Sequence, residues 1–518
     1  MKIIGFATLL VSILFWNCTP EKKSEASEFY NEPHRPQYHF TPANNWMNDP
    51  NGMVYFDGEY HLFYQHYPDS NVWGPMHWGH AVSKDLVRWQ HLPIALYPDS
   101  LGMIFSGSCV MDIGNTSGFG LPNQPAMIAI FTQHFMEGEK SGRHDFQTQG
   151  IAFSLDKGRT WKKYEGNPVI KNPGKHDFRD PKVIWHELSK QWIMILAVKD
   201  HVEFYSSPNL KDWNYLSDFG TTTGAHGGVW ECPDLFELNV EGTQETKWVL
   251  LLSINPGAPN GGSGTQYFIG QFNGKEFESE IQDTLWVDYG KDNYAGVTWS
   301  NIPKKDGRRL FLGWMSNWQY ATVVPTTAWR SANTLPRELT LVNTGKGLRI
   351  ASNPLTELES LRNTPQEFPG WISATDTVSK EIKLSSGQTE IVFEIERENA
   401  QQGFELELKN GKGEKILIGP DDQLNQFYID RSQAGIVDFS PGFPGRHVGP
   451  RTSSDLNIKL RLFLDTSSLE FFADEGTLTM TEIFFPSIPF DAFKIRASNG
   501  GIRIKSVTVY SLQSIWKE

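Results

Sequence analysis

The stretch Ser83-Lys-Asp-Leu-Val-Arg-Trp89 returns in altered form as Ser154-Leu-Asp-Lys-Gly-Arg-Thr-Trp161 and again as Ser207-Pro-Asn-Leu-Lys-Asp-Trp213. Each copy is a Ser, a polar turn and a Trp, and each follows a run of strand-forming residues. A turn-plus-Trp unit recurring every ~50–70 residues is the trace left by radially repeated four-stranded blades. Unrelated hairpins leave a similar trace, so the surrounding texture has to decide. From about residue 36 to 350 the chain is dense in short β-type runs, among them Tyr60–Tyr64, Ala126–Thr132, Trp192–Val198, Trp248–Ile254 and Arg309–Trp314. Gly, Pro, Asn and Asp break them, and no long stretch has helical periodicity. The reading is all-β, with a bladed domain over residues 36–354.

The texture changes near residue 355. The segment Leu355-Thr-Glu-Leu-Glu-Ser-Leu-Arg362 reads as a connector, and Trp-rich turns do not recur after Trp371. Alternating apolar and polar residues follow at Glu390–Glu396, Phe404–Lys409, Leu456–Leu464, Leu469–Ala473 and Ile502–Tyr510. That alternation belongs to sheets with one dry face. The expectation is a linker over 355–367, then a β-sandwich over 368–518 with no chemistry of its own, its acids forming a solvated face.

Bulk properties narrow the function. The formal net charge of -13 argues against a nucleic-acid partner, whose phosphates demand clustered Lys and Arg. Eighteen Trp suit a protein that stacks on flat or sugar-like ligands, though Trp also fills β cores. Lys2 precedes the apolar run Ile3–Trp16, too short to span a bilayer and right for an export signal over residues 1–18. Cys18 follows at once, as in a bacterial lipoprotein signal, although Phe15-Trp16-Asn17 replaces the usual small residues. Lipidation of Cys18, a polar linker over 19–35, membrane attachment through that lipid and a periplasmic or cell-surface location are expected. Cys109 and Cys232 are expected as buried free thiols. His77-Trp-Gly-His80 lacks further ligands nearby, and neither metal nor cofactor is expected.

Three stretches place an acid beside a Pro just before a strand: Trp46-Met-Asn-Asp-Pro-Asn-Gly52, Asp177-Phe-Arg-Asp-Pro181 and Gly228-Val-Trp-Glu-Cys-Pro-Asp234. Taken singly, each is accounted for by turn chemistry, or for Arg179 and Asp180 by a structural salt bridge. Three of a kind in one bladed domain point elsewhere, because strand starts near the axis of such an array converge on one funnel.

In this order the three stretches resemble the signature motifs of glycoside hydrolase family 32, the β-fructofuranosidases. Leu62-Phe-Tyr-Gln65, Asn71-Val-Trp-Gly74, Phe105-Ser-Gly107, Asp288-Tyr-Gly290, Asp292-Asn-Tyr-Ala295, Gly313-Trp-Met-Ser-Asn-Trp318, Leu335-Pro-Arg-Glu-Leu339 and Asp465-Thr-Ser-Ser-Leu-Glu-Phe-Phe472 extend the likeness over nearly everything after residue 36. The resemblance implies a five-bladed β-propeller followed by a C-terminal β-sandwich, and retaining hydrolysis of β-fructosyl bonds in fructans. It implies Asp49 as nucleophile, Glu231 as general acid and base, and Asp180 as the acid that stabilises the transition state. Glu231 needs a raised pKa for that task, and Trp230 and Cys232 offer a partly apolar setting. Trp46, Asn48, Gln65, Trp73, Phe105, Ser106, Arg179 and Trp314 are the implied substrate-binding residues. Exo action on levan, inulin or both is expected, with sucrose a further substrate. Endo action at the cell surface is the alternative within the class, and an inactive fructan-binding protein the alternative outside it.

Overall fold

Hairpins made from these short apolar runs assemble into five antiparallel sheets, each with its first strand innermost. A computed structural model describes residues 30–373, 378–421, 423–498 and 500–516. The export signal and Cys18 lie outside the described residues. Blade I comprises Asn45–Phe56, Glu59–Tyr67, His77–Ser83 and Trp89–Leu96. Blade II comprises Met103–Asp112, Ala126–His134, Gln147–Ser154 and Lys162–Lys163. Blade III comprises Phe178–His186, Gln191–Val198, His201–Ser207 and Asn214–Phe219. Blade IV comprises Val229–Asn239, Thr246–Asn255, Gly264–Phe272 and Phe277–Ser279. Blade V comprises Tyr294–Thr298, Arg309–Met315, Arg337–Thr344 and Gly347–Pro354. Each inner strand touches those of the neighbouring blades, and blade V meets blade I again. The ring is closed by Trp329–Arg330, which pairs in parallel with Asn45 and Trp46 of blade I.

The Ser-turn-Trp repeat now has a physical meaning. In blades I to III it joins the third strand to the fourth. Ser83, Ser154 and Ser207 each donate through Oγ to the side chain two residues on, Asp85, Asp156 and Asn209. Those side chains accept backbone N–H groups of the same turn, from Val87 and Arg88, from Thr160, and from Lys211 and Asp212. Such Asx-type capping satisfies turn donors that no strand can reach.

A short 3-10 helix, Thr356–Leu361, leads out of blade V, with Leu358 and Leu361 buried. Two six-stranded sheets follow. One is ordered Gln366–Ser373, Ile502–Ser511, Thr389–Glu396, Asn457–Asp465, Ser468–Ala473, Leu478–Ile483. The other is ordered Val378–Lys383, Ala492–Ser498, Gly403–Lys409, Lys415–Asp421, Gln426–Gln433, Arg446–Pro450. Ile391, Leu406, Ile418, Phe427, Leu462 and Phe471 fill the space between them, so the expected propeller and sandwich are both present.

Two expectations need correction. The sandwich acids do not all belong to a solvated face: Glu390, Asp465, Glu470 and Glu482 are buried. Glu470 and Glu482 lie in the seam with the propeller, where each meets a cation. Arg337 of blade V donates to Asp288 and, through two nitrogens, to Glu470. His39 joins Asp465 at 2.8 Å to Glu470 at 3.0 Å. Arg431 of the sandwich pairs with Asp292 of the propeller and with Glu482. Each buried charge has its counter-ion, as a dry environment requires. Secondly, residues 30–35, expected as the end of a polar linker, pack on the body. Tyr30 stacks on Trp516 at 4.0 Å, and the buried Arg35 donates to Glu32, Thr41 and the carbonyls of Pro42 and Ala43.

Burial pulls the His39 pKa down, but its hydrogen bonds to Asp465 and Glu470 outweigh that and raise it to about 9. A histidine raised above its unfolded value contributes stability that is complete below about 6.5 and lost as pH rises through about 9. The wild-type melting temperature is therefore expected to fall between pH 7 and 9.5 by several degrees more than that of a His39→Gln variant. Calorimetry across that range checks it, and parallel curves would remove His39 from the account.

Candidate active site

A bulge interrupts every inner strand at the same level. The ladder skips Asn48-Asp49 in blade I, Phe105-Ser106 in blade II, Asp180-Pro181 in blade III, Cys232-Pro233 in blade IV and Ala295-Gly296 in blade V. A bulge re-aims the side chains at and beside it, and five at one level turn them towards the axis. Asp180, Cys232 and Ala295 have positive φ values of 64°, 46° and 52°, each a left-handed step costing about 1–2 kcal/mol for a residue with a side chain. Pro181 and Pro233 fit because they lie within the bulges, and Pro50 beside one, where the ladder is interrupted.

Three acids meet there. Asp49 accepts from Ser106 Oγ at 2.6 Å, from Asn48 Nδ2 at 3.1 Å and from the Cys232 thiol at 3.4 Å. Asp180 accepts from the Cys232 N–H at 3.1 Å, and its own N–H donates to Thr132 Oγ1 at 2.9 Å. Cys232 Sγ also lies 3.8 Å from Asp180 Oδ2, so one residue of the third motif touches the acids of the other two. Glu231 accepts from Arg179 Nε at 3.2 Å and Nη2 at 2.9 Å, while Tyr294 Oη donates to its other oxygen. Arg179 Nη1 reaches Asp177 at 2.6 Å, and its Nε lies 3.9 Å from Asp180. A single guanidinium thus serves three carboxylates.

The electrostatics follow from burial and crowding. Burial raises the Asp49 carboxyl, Ser106 works against it, and the charge of Glu231 adds to the rise. Burial also pushes Asp180 up to about 7, with Glu231 and Asp49 adding to it against the pull of Arg179. Arg179 lies well above its ordinary value: burial alone would lower it, and Glu231, Asp180 and Asp177 reverse that.

These groups border a cavity of about 220 Å³, walled also by Gln65, Trp73, Phe105 and Trp318. Gln65 donates to Asn51 at 2.8 Å; Phe105 stacks on His134 at 4.2 Å and meets the edge of Trp73 at 6.1 Å. Asn48, Asp49, Gln65, Trp73, Phe105, Ser106, Arg179, Asp180 and Glu231 are thus brought together around one cavity. Trp46 and Trp314 are not: both are fully buried behind the wall, where their rings pack on Trp318 at 5.9 and 4.9 Å. Trp318, half-buried, takes the place at the cavity wall because it comes after the chain has left the strand ending at Met315. Trp46 acts at one remove, its indole N–H fixing Asn48 Oδ1 at 2.7 Å. Trp230 gives Glu231 no apolar neighbour either. Strand alternation sends it into the blade core against Phe268, with its N–H on the Ala225 carbonyl.

Sequence reading missed Tyr294, Thr132, Trp318 and the rim group His134, Glu139 and Gln147. Tyr294 stood in a recognised motif, Asp292-Asn-Tyr-Ala295, but nothing local tied it to Glu231. Cys109 and Cys232 are free and buried as expected.

An acid whose folded pKa lies above its unfolded value is most favourable to folding below the unfolded value, about 3.9, and costs stability as pH rises through about 7. Asp180→Asn should therefore melt a few degrees above wild type at pH 8 and show little gain at pH 4. A loss of stability at pH 8 would mean that the Arg179–Asp180 pairing is structural support.

Residues 39–354 match the family model for the glycosyl hydrolases family 32 N-terminal domain, and residues 357–511 that for the family's C-terminal domain. The chain is 48% identical to a levanase of Bacillus subtilis over all of its own length and 75% of the relative's. It is 36% identical to an extracellular exo-inulinase of Aspergillus awamori, over 94% of this chain and 96% of that one. The crystal structure of the Aspergillus awamori exo-inulinase superposes with a TM-score of 0.86 at 35% identity, covering 94% of this chain and 100% of the other. The fructofuranosidase of Schwanniomyces occidentalis complexed with fructosylnystose superposes at 0.84 and 35% identity, over 94% and 99%. With both domain models matched in order and relatives of 36% and 48% identity matched over 94% or more of this chain, the chain belongs to glycosyl hydrolase family 32.

Proposed function

We propose that the protein is an exported retaining β-fructosidase that removes terminal fructosyl units from fructans. The observation that carries this is the meeting of Asp49, Asp180 and Glu231 around one small cavity in a chain whose relatives, matched over nearly all of it, include a levanase and exo-inulinases. Asp49, held by three donors, attacks the anomeric carbon of the terminal fructose. As the glycosidic C–O bond breaks, Glu231 gives its proton to the leaving oxygen, and a fructosyl ester forms on Asp49. A water then attacks the same carbon, Glu231 takes its proton, and fructose leaves with its configuration retained. Asp180 receives sugar hydroxyls and stabilises the positive charge that develops in the ring, while Arg179 orients Glu231. At about 220 Å³ the cavity falls below the ~300–1,000 Å³ typical of drug-sized ligands. That size supports capture of one terminal sugar, hence exo action. Export rests on the N-terminal signal and on the extracellular inulinase relatives, and Cys18 is the site of lipid attachment.

Asp49→Asn should lose at least about a thousandfold in kcat with its fold intact by circular dichroism. Glu231→Gln should keep slow turnover that rises again on substrates with good leaving groups, since these need no proton. Wild-type activity of Asp49→Asn on levan overturns the assignment. Chromatography of the first products from levan, inulin and sucrose should show fructose without a ladder of oligomers. A ladder would make the enzyme endo-acting, and the fastest substrate names the linkage.

A further inference from the structure

The inner strands run from the catalytic acids to a second cavity. Asp180 opens the strand that carries Trp185 near its end, and Glu231 the strand that carries Glu237. Five or six residues of strand place the far wall of this cavity ~17–20 Å from those acids, and two or three residues place its near end ~7–10 Å from them. Its volume is about 310 Å³, and it is walled by Trp185, Trp192, Trp248, Phe236, Arg309 and Glu237, with Lys182 and Asp234 at its inner end.

Three features mark it as built to hold something. Asp234 is fully buried and pairs through Oδ2 with Lys182 at 3.0 Å and with the Thr298 N–H at 2.6 Å, yet its Oδ1 has no hydrogen-bond partner. Arg309 rests on the Phe236 ring at 4.9 Å, and its buried Nε is likewise without a partner. Trp185 is 38% exposed but not loose: its N–H is fixed on Glu187 at 2.7 Å and its ring is set edge-on to Trp192 at 5.1 Å. A rigid indole beside unsatisfied donors and acceptors has the composition of a surface that stacks a sugar face and binds its hydroxyls. Two cations, Lys182 and Arg309, stand against two anions, Asp234 and Glu237, so the cavity favours a neutral ligand over an ionic one.

We propose that this lower cavity is a second, non-catalytic site for a neutral saccharide, and that its occupant is the fructan chain itself. The proposal rests on the reading of the upper site as a fructosidase. A polymer held at the lower cavity raises the effective concentration of its chain ends, or of neighbouring chains, at the catalytic cavity, whereas a trisaccharide cannot occupy both. The four lower-cavity residues Trp185, Trp192, Trp248 and Arg309 have no part in the chemistry above.

The test compares kcat/KM on high-molecular-mass levan and inulin with that on a fructosyl trisaccharide, for wild type, Trp185→Ala and Arg309→Ala. The expected result is an unchanged trisaccharide value and a roughly three- to tenfold loss on the polymer. Affinity electrophoresis through levan- or inulin-containing gels, in the inactive Asp49→Asn background, reads binding directly. Asp49→Asn should be retarded, and Asp49→Asn with Trp185→Ala less so. Equal polymer-to-trisaccharide ratios in all three active forms, or equal retardation in the gel, overturn the proposal. If Arg309→Ala fails to fold, the surface variant Trp185→Ala decides alone. A wild type that cleaves neither substrate would instead refute the fructosidase reading.

Discussion

Five bulges at one level of a closed ring of strands are the constraint on which the site depends. A regular strand alternates its side chains and would send half of the axial residues into the blade cores. The bulges break that alternation where Asp49, Ser106, Asp180, Glu231 and Tyr294 stand, so residues from four blades face one cavity and Tyr294 of the fifth reaches Glu231. The left-handed steps at Asp180, Cys232 and Ala295 cost free energy locally. The blade cores around them, with Trp230, Leu250 and Phe268 on one side and Ile130, Phe178 and Met194 on another, hold those steps in place.

The sandwich contributes to this arrangement without touching the cavity. Asp288 and Asp292 lie just before the inner strand of blade V and are held by Arg337, Thr481 and Arg431. Two residues past Asp292 comes Tyr294, which donates to Glu231. The buried charges of the seam therefore fix the segment that orients Glu231, the proposed proton donor. This explains how Asp288-Tyr-Gly290, Leu335-Pro-Arg-Glu-Leu339 and Asp465-Thr-Ser-Ser-Leu-Glu-Phe-Phe472, which hold none of the three cavity acids, belong with the motifs that do.

Much of the site was legible in the sequence because acids beside Pro at strand starts are conspicuous, and because the Ser-turn-Trp caps betray the blades. What stayed hidden depends on direction in space. Trp314 and Trp318 share one motif, and only the path of the backbone past Met315 decides which faces the cavity. Glu470, between Leu469 and Phe471, has the alternation of a solvated strand, and only the docked propeller makes it a buried partner of Arg337. Trp230 is next to the acid in sequence and on the opposite side of the strand in space.

The central claim is that these bulges bring Asp49 to bonding distance of a sugar carbon while Glu231 handles the proton. Rapid-quench mass spectrometry of Glu231→Gln, given a fructosyl substrate with a good leaving group, tests it most directly. The account predicts a hexosyl adduct on the peptide that carries Asp49, formed faster than it is hydrolysed. An adduct on any other residue, or product release with no covalent intermediate, would contradict it.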